Sequence, residues 1–382
     1  MKFELLKYIV CPIDNLDLEL VIFKDDMSIL SGDHLTHLSI EDKKYKEIKT
    51  GVLINNRLKV MYPIVKGIPR MLTFDNVITD SFQKEYSKII DENFQNYSFP
   101  NEEPAYGEKD VLRTFSSEWV NYDWDDQSYW SLSADMMYKT MNYSLDLDSF
   151  PINNKLVLEV GTGIGASANH ISMNNDCQLI GMDLSFAIDV AYQHFGNNPN
   201  LHLIQASAFK PPFRISIFDL VYSFGVLHHT FSTEKAFNSV SRLTKKSGKF
   251  FLWVYSKSNE ARTLTRRIFY VIEKIFRPII WRLPEKLQTV ALLPFIPLYI
   301  IFQNYIREKD GKGLTKYSWR EAEHAARDKF TPRFAHRHTP EEVSNWYTKN
   351  GYDKIRFLSD RPKEKWVPDG LVECIGVEGF KL

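Results

Sequence analysis

The sequence predicts an α/β protein with a doubly wound, mostly parallel seven-stranded sheet whose last strand is antiparallel. From residue 155 onwards, short apolar runs alternate with helix-like stretches, which is the pattern of right-handed βαβ units. The first of these runs ends in a glycine-rich turn that opens a helix. The chain then closes with two apolar runs separated by polar residues, and this ending favours an antiparallel pair of strands.

The apolar runs locate the individual elements of this sheet. The predicted parallel strands are Leu156–Val160, Gln178–Met182, Leu201–Gln205, Asp219–Phe224 and Lys249–Tyr255. The predicted helices between them are Ala166–Met173, Phe186–Phe195 and Thr233–Leu243. A later helix begins after Thr339, where Pro340 and Glu342 complete a capping box. The predicted closing strands are Tyr352–Leu358 and Leu371–Phe380.

The rest of the chain adds material on both sides of this core. Residues 1–75 alternate as short strands and turns, and they predict a small N-terminal α+β domain. Residues 76–147 predict a linker and an aromatic helical lid, followed by the central core at 148–257. Residues 258–335 form an apolar helical insert, and residues 336–382 supply the last helix and the closing strands.

Composition narrows the class of protein. The chain has 382 residues, 44% of them hydrophobic and 25% charged, which is ordinary for a globular protein. Its formal net charge is zero, so the composition does not indicate a nucleic-acid-binding protein. A local basic patch is still compatible with this balanced total. The cysteines Cys11, Cys177 and Cys374 are too scattered for a disulfide framework. Since the N-terminus also lacks a signal-peptide pattern, we expect a cytoplasmic protein.

The glycine-rich turn is the strongest candidate for a ligand site. Glycines from Gly161 to Gly165 allow the backbone to approach a ligand closely, at a helix N-terminus that favours negative charge. The glycine spacing alone also fits a dinucleotide fingerprint. Glu159, inside the strand end, suits a cationic ligand better than a pyrophosphate. Asp183, after the second strand, can accept hydrogen bonds from the ribose hydroxyls of a dinucleotide or of a cationic nucleoside cofactor. Adjacent histidines, His228 and His229, follow the fourth strand.

In combination, residues 155–256 resemble the core of class I S-adenosylmethionine (SAM)-dependent methyltransferases. Val157–Gly165 is similar to the first motif of that family, with Thr162 where Cys or Ser is more usual, and Asp183 matches its strand-two acid. Asp219–His229 resembles its fourth-strand motif, and the closing strands match its reversed last strand, which NAD-binding folds lack. The resemblance implies a Rossmann-like fold, transferase activity and S-adenosyl-L-methionine as the cofactor.

The resemblance also implies which residues contact the cofactor. They are Glu159, Gly161, Thr162, Gly163, Gly165, Asp183, Leu184, Ala206, Ser207, Ala208, Ser223, Phe224 and Gly225. One departure is Ser207, which stands where the family has an acid that bonds the adenine amino group; a hydroxyl bonds it more weakly. Each acid has an alternative role. Glu159 could accept hydrogen bonds from nearby backbone N–H groups, and Asp183 could be an ordinary helix N-cap.

The N-terminal domain resembles the small zinc-ribbon-like domain that partners or precedes many methyltransferases. In that family two Cys-x-x-Cys pairs would fall at Cys11, Asp14, Asn55 and Leu58. Structural zinc requires four strong nitrogen or sulfur donors, so we predict no bound metal. The domain then serves as a platform, as a homodimer contact or in gating the substrate, and the sequence does not separate these roles.

The insert contains a basic amphipathic stretch, Arg262–Arg277, and then an uncharged stretch, Leu287–Ile306. Pro294 and Pro297 interrupt the uncharged stretch, which argues against a spanning helix. Two interpretations remain for residues 262–306: a helical lid on the core, or a membrane-associated surface that meets a bilayer or a lipid-linked substrate.

The chemistry of the acceptor is less determined. Methyl transfer to a hydroxyl or an ammonium needs a base, and His229 with its neighbour His228 is the first candidate, followed by His336 or His338. Trp119, Tyr122 and Arg333 are predicted to contact the substrate. The predicted function is biosynthetic methylation of O or N on a small molecule such as a sugar, lipid or secondary metabolite. The alternatives are an RNA or protein methyltransferase and an inactive SAM-fold scaffold.

Overall fold

The computed structural model describes most of the chain, and the statements below refer to that part. The described residues are 1–24, 29–31, 47–120, 128–129, 132–258, 264–310, 316–367 and 369–382. Tyr122, a predicted substrate contact, lies outside these ranges.

The N-terminal region forms an antiparallel sheet in the order β2-β1-β3-β4-β5. Its strands are β1 (Glu19–Phe23), β2 (Ile29–Ser31), β3 (Gly51–Asn55), β4 (Val60–Val65) and β5 (Ile68–Pro69). All of β3 is buried because its two faces pack on different neighbours. Val52 and Ile54 contact a cluster that includes Phe82 and Phe94, whereas Leu53 faces Phe213 and the central sheet. The N-terminal sheet is therefore packed into the molecule on both faces.

A polar bond also joins this sheet to the central domain. Arg70 is fully buried, and its guanidinium donates to both carboxylate oxygens of Asp189, at 2.5 and 2.9 Å. Beside it, the Met71 amide donates to the Gln205 carbonyl at 2.8 Å. A partly buried bidentate ion pair with a matching backbone bond fixes the orientation of the two domains.

The described part of residues 76–147 contains four helices. The helices are α1 (Val77–Glu85), α2 (Ser87–Asn93), α3 (Glu108–Val120) and α4 (Ala134–Leu145). A two-stranded ribbon precedes α4 and consists of β6 (Ser128–Tyr129) and β7 (Leu132–Ser133). The predicted linker between residues 93 and 109 is the irregular stretch that joins α2 to α3.

The central sheet confirms the predicted fold class. In the described part of the chain it has seven strands in the order β10-β9-β8-β11-β12-β14-β13. They are β8 (Leu156–Val160), β9 (Gln178–Asp183), β10 (Leu201–Gln205), β11 (Phe218–Phe224), β12 (Thr244–Val254), β13 (Tyr352–Phe357) and β14 (Ile375–Lys381). The first five in sequence pair in parallel, and β14 lies antiparallel between β12 and β13. The parallel strands are largely buried on both faces because helices cover each side, whereas the edge strand β13 is partly exposed.

The helices that connect these strands fall where the sequence places them. They are α5 (Ala166–Asn174), α6 (Ala187–Phe195) and α7 (Thr233–Ser241). The insert adds α8 (Leu264–Ile280), α9 (Glu285–Leu292), α10 (Phe295–Asp310) and α11 (Trp319–Phe330). No single helix in the described ranges is long and apolar enough to span a membrane. Helix α9 and residues Phe295–Tyr305 have the length and apolar composition of a span only when taken together, and the two helices are bent by 51° at the break between them.

The closing segment differs from its prediction in one respect. After α12 (Pro340–Lys349) and β13, the predicted strand Leu371–Phe380 starts only at Ile375, because Asp369–Glu373 forms a short helix, α13. Leu371 packs with Leu358 in a small apolar cluster, and its carbonyl accepts a hydrogen bond from Trp253 Nε1 at 2.9 Å. Tertiary packing thus removes Leu371 from the strand, and the link between β13 and β14 is longer than a hairpin turn.

Candidate active site

The glycine-rich turn runs from the end of β8 into α5. Gly161, Gly163 and Gly165 have φ angles of +83°, +56° and +78°, in the left-handed region that favours glycine. A Cβ at Gly161 would lie 2.3 Å from a methyl carbon of Val226, and one at Gly165 would lie 2.9 Å from the Ala191 side chain. Conformation and close packing therefore both require glycine here, and the turn leaves backbone N–H groups available at the start of α5.

Glu159 is a buried carboxylate held in place by hydroxyl groups. Thr162 Oγ1 donates to Glu159 Oε2 at 2.5 Å, and Ser167 Oγ donates to Oε1 at 2.6 Å. These partners are side-chain hydroxyls rather than the backbone N–H groups of the plainer alternative. Burial raises the pKa of Glu159 to about 7. Each oxygen keeps a lone pair, so the carboxylate can still accept from an incoming cation, which would favour its ionised form.

Asp183 joins the second strand to the glycine turn. Its Oδ2 accepts from the Gly163 backbone N–H at 2.7 Å, and its Oδ1 accepts from the backbone N–H and the hydroxyl of Ser185 at 2.8 and 2.7 Å. Burial raises the pKa of Asp183. Oδ2 retains one acceptor position, so Asp183 supports the turn and still has capacity for a ribose hydroxyl.

Ser207 has a carboxylate partner from outside the central domain. Its hydroxyl donates a short hydrogen bond to Glu108 Oε1, and Glu108 Oε2 accepts from the Ala105 backbone N–H at 2.9 Å. Glu108 is the first residue of α3 and is buried, which raises its pKa. The acid that the third-strand loop lacks is therefore supplied, in space, by a different element.

Glu108 is a neighbour of the candidate site that sequence reasoning missed. In the sequence it ends a polar linker and begins a helix, where an acid ordinarily stabilises the first turn. Nothing local indicated that α3 folds back on the loop after β10.

The other predicted cofactor residues lie at the carboxyl edges of β9, β10 and β11, where open α/β sheets bind ligands. Ala206 N donates to the Asp183 carbonyl at 2.9 Å, and Ser223 Oγ donates to the Val160 carbonyl at 2.9 Å. Phe224 stacks on Trp253 with ring centroids 4.8 Å apart. The same edge includes Leu184, Ala208 and Gly225.

The structure brings all four candidate histidines together. His228 is fully buried, stacks on Tyr255 with centroids 3.9 Å apart, and lies 4.2 Å from the His229 ring. Within the described residues neither of its ring nitrogens has a hydrogen-bond partner. Burial lowers the pKa of His228 well below its ordinary value. His228 thus packs as a neutral ring that supports its neighbour.

His229 presents the geometry of a base. Its Nδ1 lies 2.9 Å from the Phe334 carbonyl, which can only accept, so Nδ1 carries the hydrogen and Nε2 carries the lone pair. Nε2 is 3.6 Å from Asp328 Oδ1, and Asp328 also accepts from the Tyr255 hydroxyl at 2.7 Å. Burial lowers the pKa of His229 to about 4. The ring is neutral near pH 7, and Asp328 would stabilise the cation formed by protonation.

The other two histidines are placed differently. His338 is occupied on both ring nitrogens, with Nε2 2.9 Å from Thr233 Oγ1 and Nδ1 3.4 Å from Glu342 Oε2. Burial lowers the pKa of His338 to about 4. His336 donates its backbone N–H to the His228 carbonyl at 2.8 Å, and burial lowers its pKa as well. Of the four, His229 combines a buried lone pair with a neighbouring carboxylate.

Trp119 lies on α3 and Arg333 follows α11; both are predicted substrate contacts. Trp119 packs with Ile164 of the glycine turn, and its ring lies 4.7 Å from His324 in an edge-to-face arrangement. Arg333 forms an ion pair with Asp110 at 2.5 Å and covers the Tyr106 ring at 4.3 Å. Trp119 therefore adjoins the cofactor turn, whereas the Arg333 guanidinium is engaged by the protein.

A second carboxylate that the sequence did not single out lies near His229. Glu118 is buried on α3, with Oε1 3.6 Å from His324 Nε2, and neither oxygen accepts a hydrogen bond from the described residues. Burial raises the pKa of Glu118 well above its ordinary value. Glu118, His229, His324 and Asp328 form what we call the polar cluster, between α3, α11 and the loop after β11. It can bind a polar group and take up its proton.

The four positions that correspond to zinc ligands are connected by hydrogen bonds. Asn55 Nδ2 donates to Asp14 Oδ1 at 2.8 Å, and the Leu58 backbone N–H donates to Asn55 Oδ1 at 3.0 Å. Cys11 Sγ lies 3.4 Å from the Tyr62 hydroxyl. Across the described ranges no group of three or more His, Cys, Asp or Glu side chains could hold a metal ion. The loops are thus joined by side-chain bonds to Asp14 and Asn55.

The reversed β14 beside β12, together with acids on both sides of a glycine turn, is the arrangement of a class I SAM-dependent methyltransferase domain. Its cofactor is S-adenosyl-L-methionine. Residues 158–252 match the protein-family model described as Methyltransferase domain, which spans β8 to β12 and about a quarter of the chain.

The chain is also similar to individual proteins over part of its length. The sterol 24-C-methyltransferases of Kluyveromyces lactis and Saccharomyces cerevisiae are 28% and 27% identical over 127 and 125 residues. Each match covers 31% of this chain, and it covers 34% and 33% of those enzymes, so the chain spans about a third of their length. Magnesium protoporphyrin IX methyltransferase from Synechocystis PCC 6803, solved with bound SAH, is 12% identical with a TM-score of 0.41. That match covers 72% of this chain and all of the other.

Proposed function

We propose that the chain transfers a methyl group from SAM to an oxygen or nitrogen of a small molecule, and that the acceptor is a lipid rather than a sugar or another metabolite. The observation that carries the proposal is the buried lone pair of His229 next to Asp328. The Phe115 ring lies 5.2 Å from the His229 ring and packs against the cluster that contains Ile164 of the glycine turn. The sterol methyltransferase relatives and the exposed apolar side chains of the insert support a lipid acceptor.

The residues at the turn fit SAM chemically. Glu159, a buried carboxylate bonded only by neutral hydroxyls within the described residues, suits the ammonium and sulfonium of the methionyl part. Asp183 would accept a ribose hydroxyl, and Glu108 with Ser207 would accept from the adenine amino group. SAM supplies a methyl group on a positively charged sulfur, which leaves as a neutral thioether when the acceptor attacks.

The protein's own part is alignment, exclusion of water and removal of a proton. Placing two reactants in line contributes about 7–11 kcal/mol to rate enhancements in well-oriented systems. His229 Nε2 would accept the proton of the acceptor hydroxyl or ammonium, and Asp328 would stabilise the resulting imidazolium. Because α3 and α11 bury this cluster, the charges act in a medium of low dielectric.

The test is a transfer assay with methyl-labelled SAM against organic and aqueous fractions of a cell extract. We expect label in the organic fraction, and loss of that label with His229→Ala. Label only in RNA or protein would favour the alternative class of acceptor. Calorimetric titration that detects no SAM binding would favour the inactive scaffold.

Two further proposals concern the N-terminal domain and the cellular location. We propose that the N-terminal sheet is a zinc-free form of the ribbon-like module, and that it serves as a platform, gate or homodimer contact. We also propose a cytoplasmic location with association to a membrane. The Asp14–Asn55 bond supports the first proposal, because it joins the positions that metal ligands would occupy.

A further inference from the structure

Helix α8 turns its apolar side to the solvent. Leu264, Ile268, Val271, Ile275 and Ile279 follow one another at intervals of four, three, four and four residues, so they share one face of the helix. Each is more than half exposed. A surface helix of a globular protein normally places this stripe against the core.

The opposite face of α8 is charged and buried. Glu273 accepts from Arg337 Nη2 at 2.6 and 2.7 Å and also pairs with Arg277. Arg277 Nε in turn donates to the Lys329 carbonyl at 2.9 Å. Rotating the helix to bury its apolar stripe would break these bonds and would move Glu273 and Arg277 to the surface. The orientation is therefore fixed by ion pairs, and the apolar stripe stays outside.

The exposed apolar surface continues on the next two helices. Among the described residues, twelve of the 21 exposed large apolar side chains lie between Leu264 and Tyr305. On α9 and α10 they are Leu287, Val290, Leu293, Leu298, Ile301 and Tyr305. Single exposed apolar residues are normal, but a concentration of this kind on one segment marks an interaction surface. We call residues 264–305 with these side chains the outer helical surface.

Basic side chains accompany the stripe. Arg267 and Lys274 are exposed, lie seven residues apart on α8 and flank the stripe on one side. Arg282 precedes α9, and Lys286 lies on α9 beside Glu285, which is the one exposed acid among the described side chains of residues 264–305. The acid of α8, Glu273, is already paired in the interior. The outer helical surface is therefore locally positive, although the whole chain has no net charge. Long basic side chains can cover apolar surface while their charged ends reach lipid phosphates.

We propose that the outer helical surface binds a lipid bilayer that contains anionic lipids, with the apolar stripe inserted among the acyl chains. The basic residues argue against a second copy of this chain, because a two-fold contact would place the same positive side chains against each other. The buried face of α8 contacts the segment around Arg337, whose neighbour His336 is bonded to His228. Helix α8 would thus lie between the bilayer and the segment that adjoins His228. The inference goes beyond methyl transfer and rests on the helix surface alone.

The test is co-flotation of the full chain, without SAM, with vesicles of phosphatidylcholine alone or mixed with phosphatidylserine. We expect flotation with the mixed vesicles and weaker flotation at high salt. The triple variant Ile268→Ser, Val271→Ser, Ile275→Ser should remain in the bottom fraction of the gradient, without binding to the vesicles. Its matched control, Val77→Ser, Met173→Ser, Ile215→Ser, removes equally exposed apolar side chains elsewhere and should float as the wild type does.

The charge contribution has its own pair of variants. Arg267→Glu with Lys274→Glu should weaken binding to the mixed vesicles by at least about tenfold, whereas Lys88→Glu with Lys246→Glu should not. Circular dichroism of each variant verifies folding. The proposal is overturned if the wild type floats with neither vesicle, or if the triple variant floats normally. It is also overturned if light scattering shows a wild-type dimer that the triple variant loses without any vesicle binding. Because no cofactor is present, these outcomes are independent of whether the chain is a methyltransferase.

Discussion

Replacing Glu108 with Gln tests whether this buried carboxylate recognises the purine of the cofactor. The substitution keeps the side-chain shape and removes the charge that faces Ser207. Hydrogen bonds to charged groups contribute about 1.5–3 kcal/mol, and neutral ones about 0.5–1.5 kcal/mol. The difference of roughly 1.4 kcal/mol corresponds to about tenfold weaker binding of S-adenosylhomocysteine. Since burial raises the pKa of Glu108, the wild-type affinity should also fall as the pH decreases through that pKa.

The decisive assay compares two ligands by calorimetry. S-inosylhomocysteine carries a carbonyl where S-adenosylhomocysteine carries the amino group, and a carboxylate repels that carbonyl. The wild type should therefore prefer the adenosyl compound. Glu108→Gln should narrow the preference, because an amide can donate to the carbonyl. Glu102→Gln is the matched control, since Glu102 pairs with Lys210 beside the same loop at 2.5 Å.

Two results would refute this role for Glu108. One is an unchanged ratio of the two dissociation constants in Glu108→Gln, with both ligands weakened equally, which would mean that Glu108 only supports the fold. The other is an equal change of that ratio in Glu102→Gln, which would assign the effect to the net charge around the loop.

Three further predictions concern groups elsewhere in the molecule. Because burial raises the pKa of Glu159 from 4.5 to about 7, the free energy of unfolding should decrease by about 3 kcal/mol as pH rises from 4.5 to 7. Urea unfolding should show that Glu159→Gln lacks this loss, and parallel pH curves for both proteins would contradict the assignment. His229→Ala should lower methyl transfer by about 100-fold or more without changing the affinity for S-adenosylhomocysteine; full activity would exclude His229 as the base. Asp14→Ala should lower the free energy of unfolding by about 1–2 kcal/mol through loss of the Asn55 bond, while EDTA leaves the wild-type Tm unchanged. A fall of that Tm in EDTA would reveal a structural metal.

The central sheet and the glycine-rich turn could be predicted because their signals are local. A buried parallel strand is a short apolar run, and the turn from β8 to α5 needs positive φ angles that select glycine. Glu159 and Asp183 could be identified because they sit at fixed positions beside that turn. The error at Leu371 has the opposite origin, since its apolar run continues without a break and only packing against Leu358 withdraws it from β14.

Contacts between distant segments account for what the sequence did not show. Glu108 meets Ser207 across 99 residues, and Glu118 meets His324 across more than 200. Neither pair has a local signal, because an acid on a helix is ordinarily exposed.

By itself, the sequence determined the sheet, the glycine turn and the acids next to it, since backbone conformation and strand burial depend on neighbouring residues. Only the tertiary structure decided which carboxylate faces Ser207, which histidine nitrogen keeps its lone pair, and which face of α8 points outward. The physical reason is the same in each case. Burial, pKa and charge pairing depend on the side chains that folding brings together, and for Glu108, His229 and Glu273 those side chains come from distant parts of the chain.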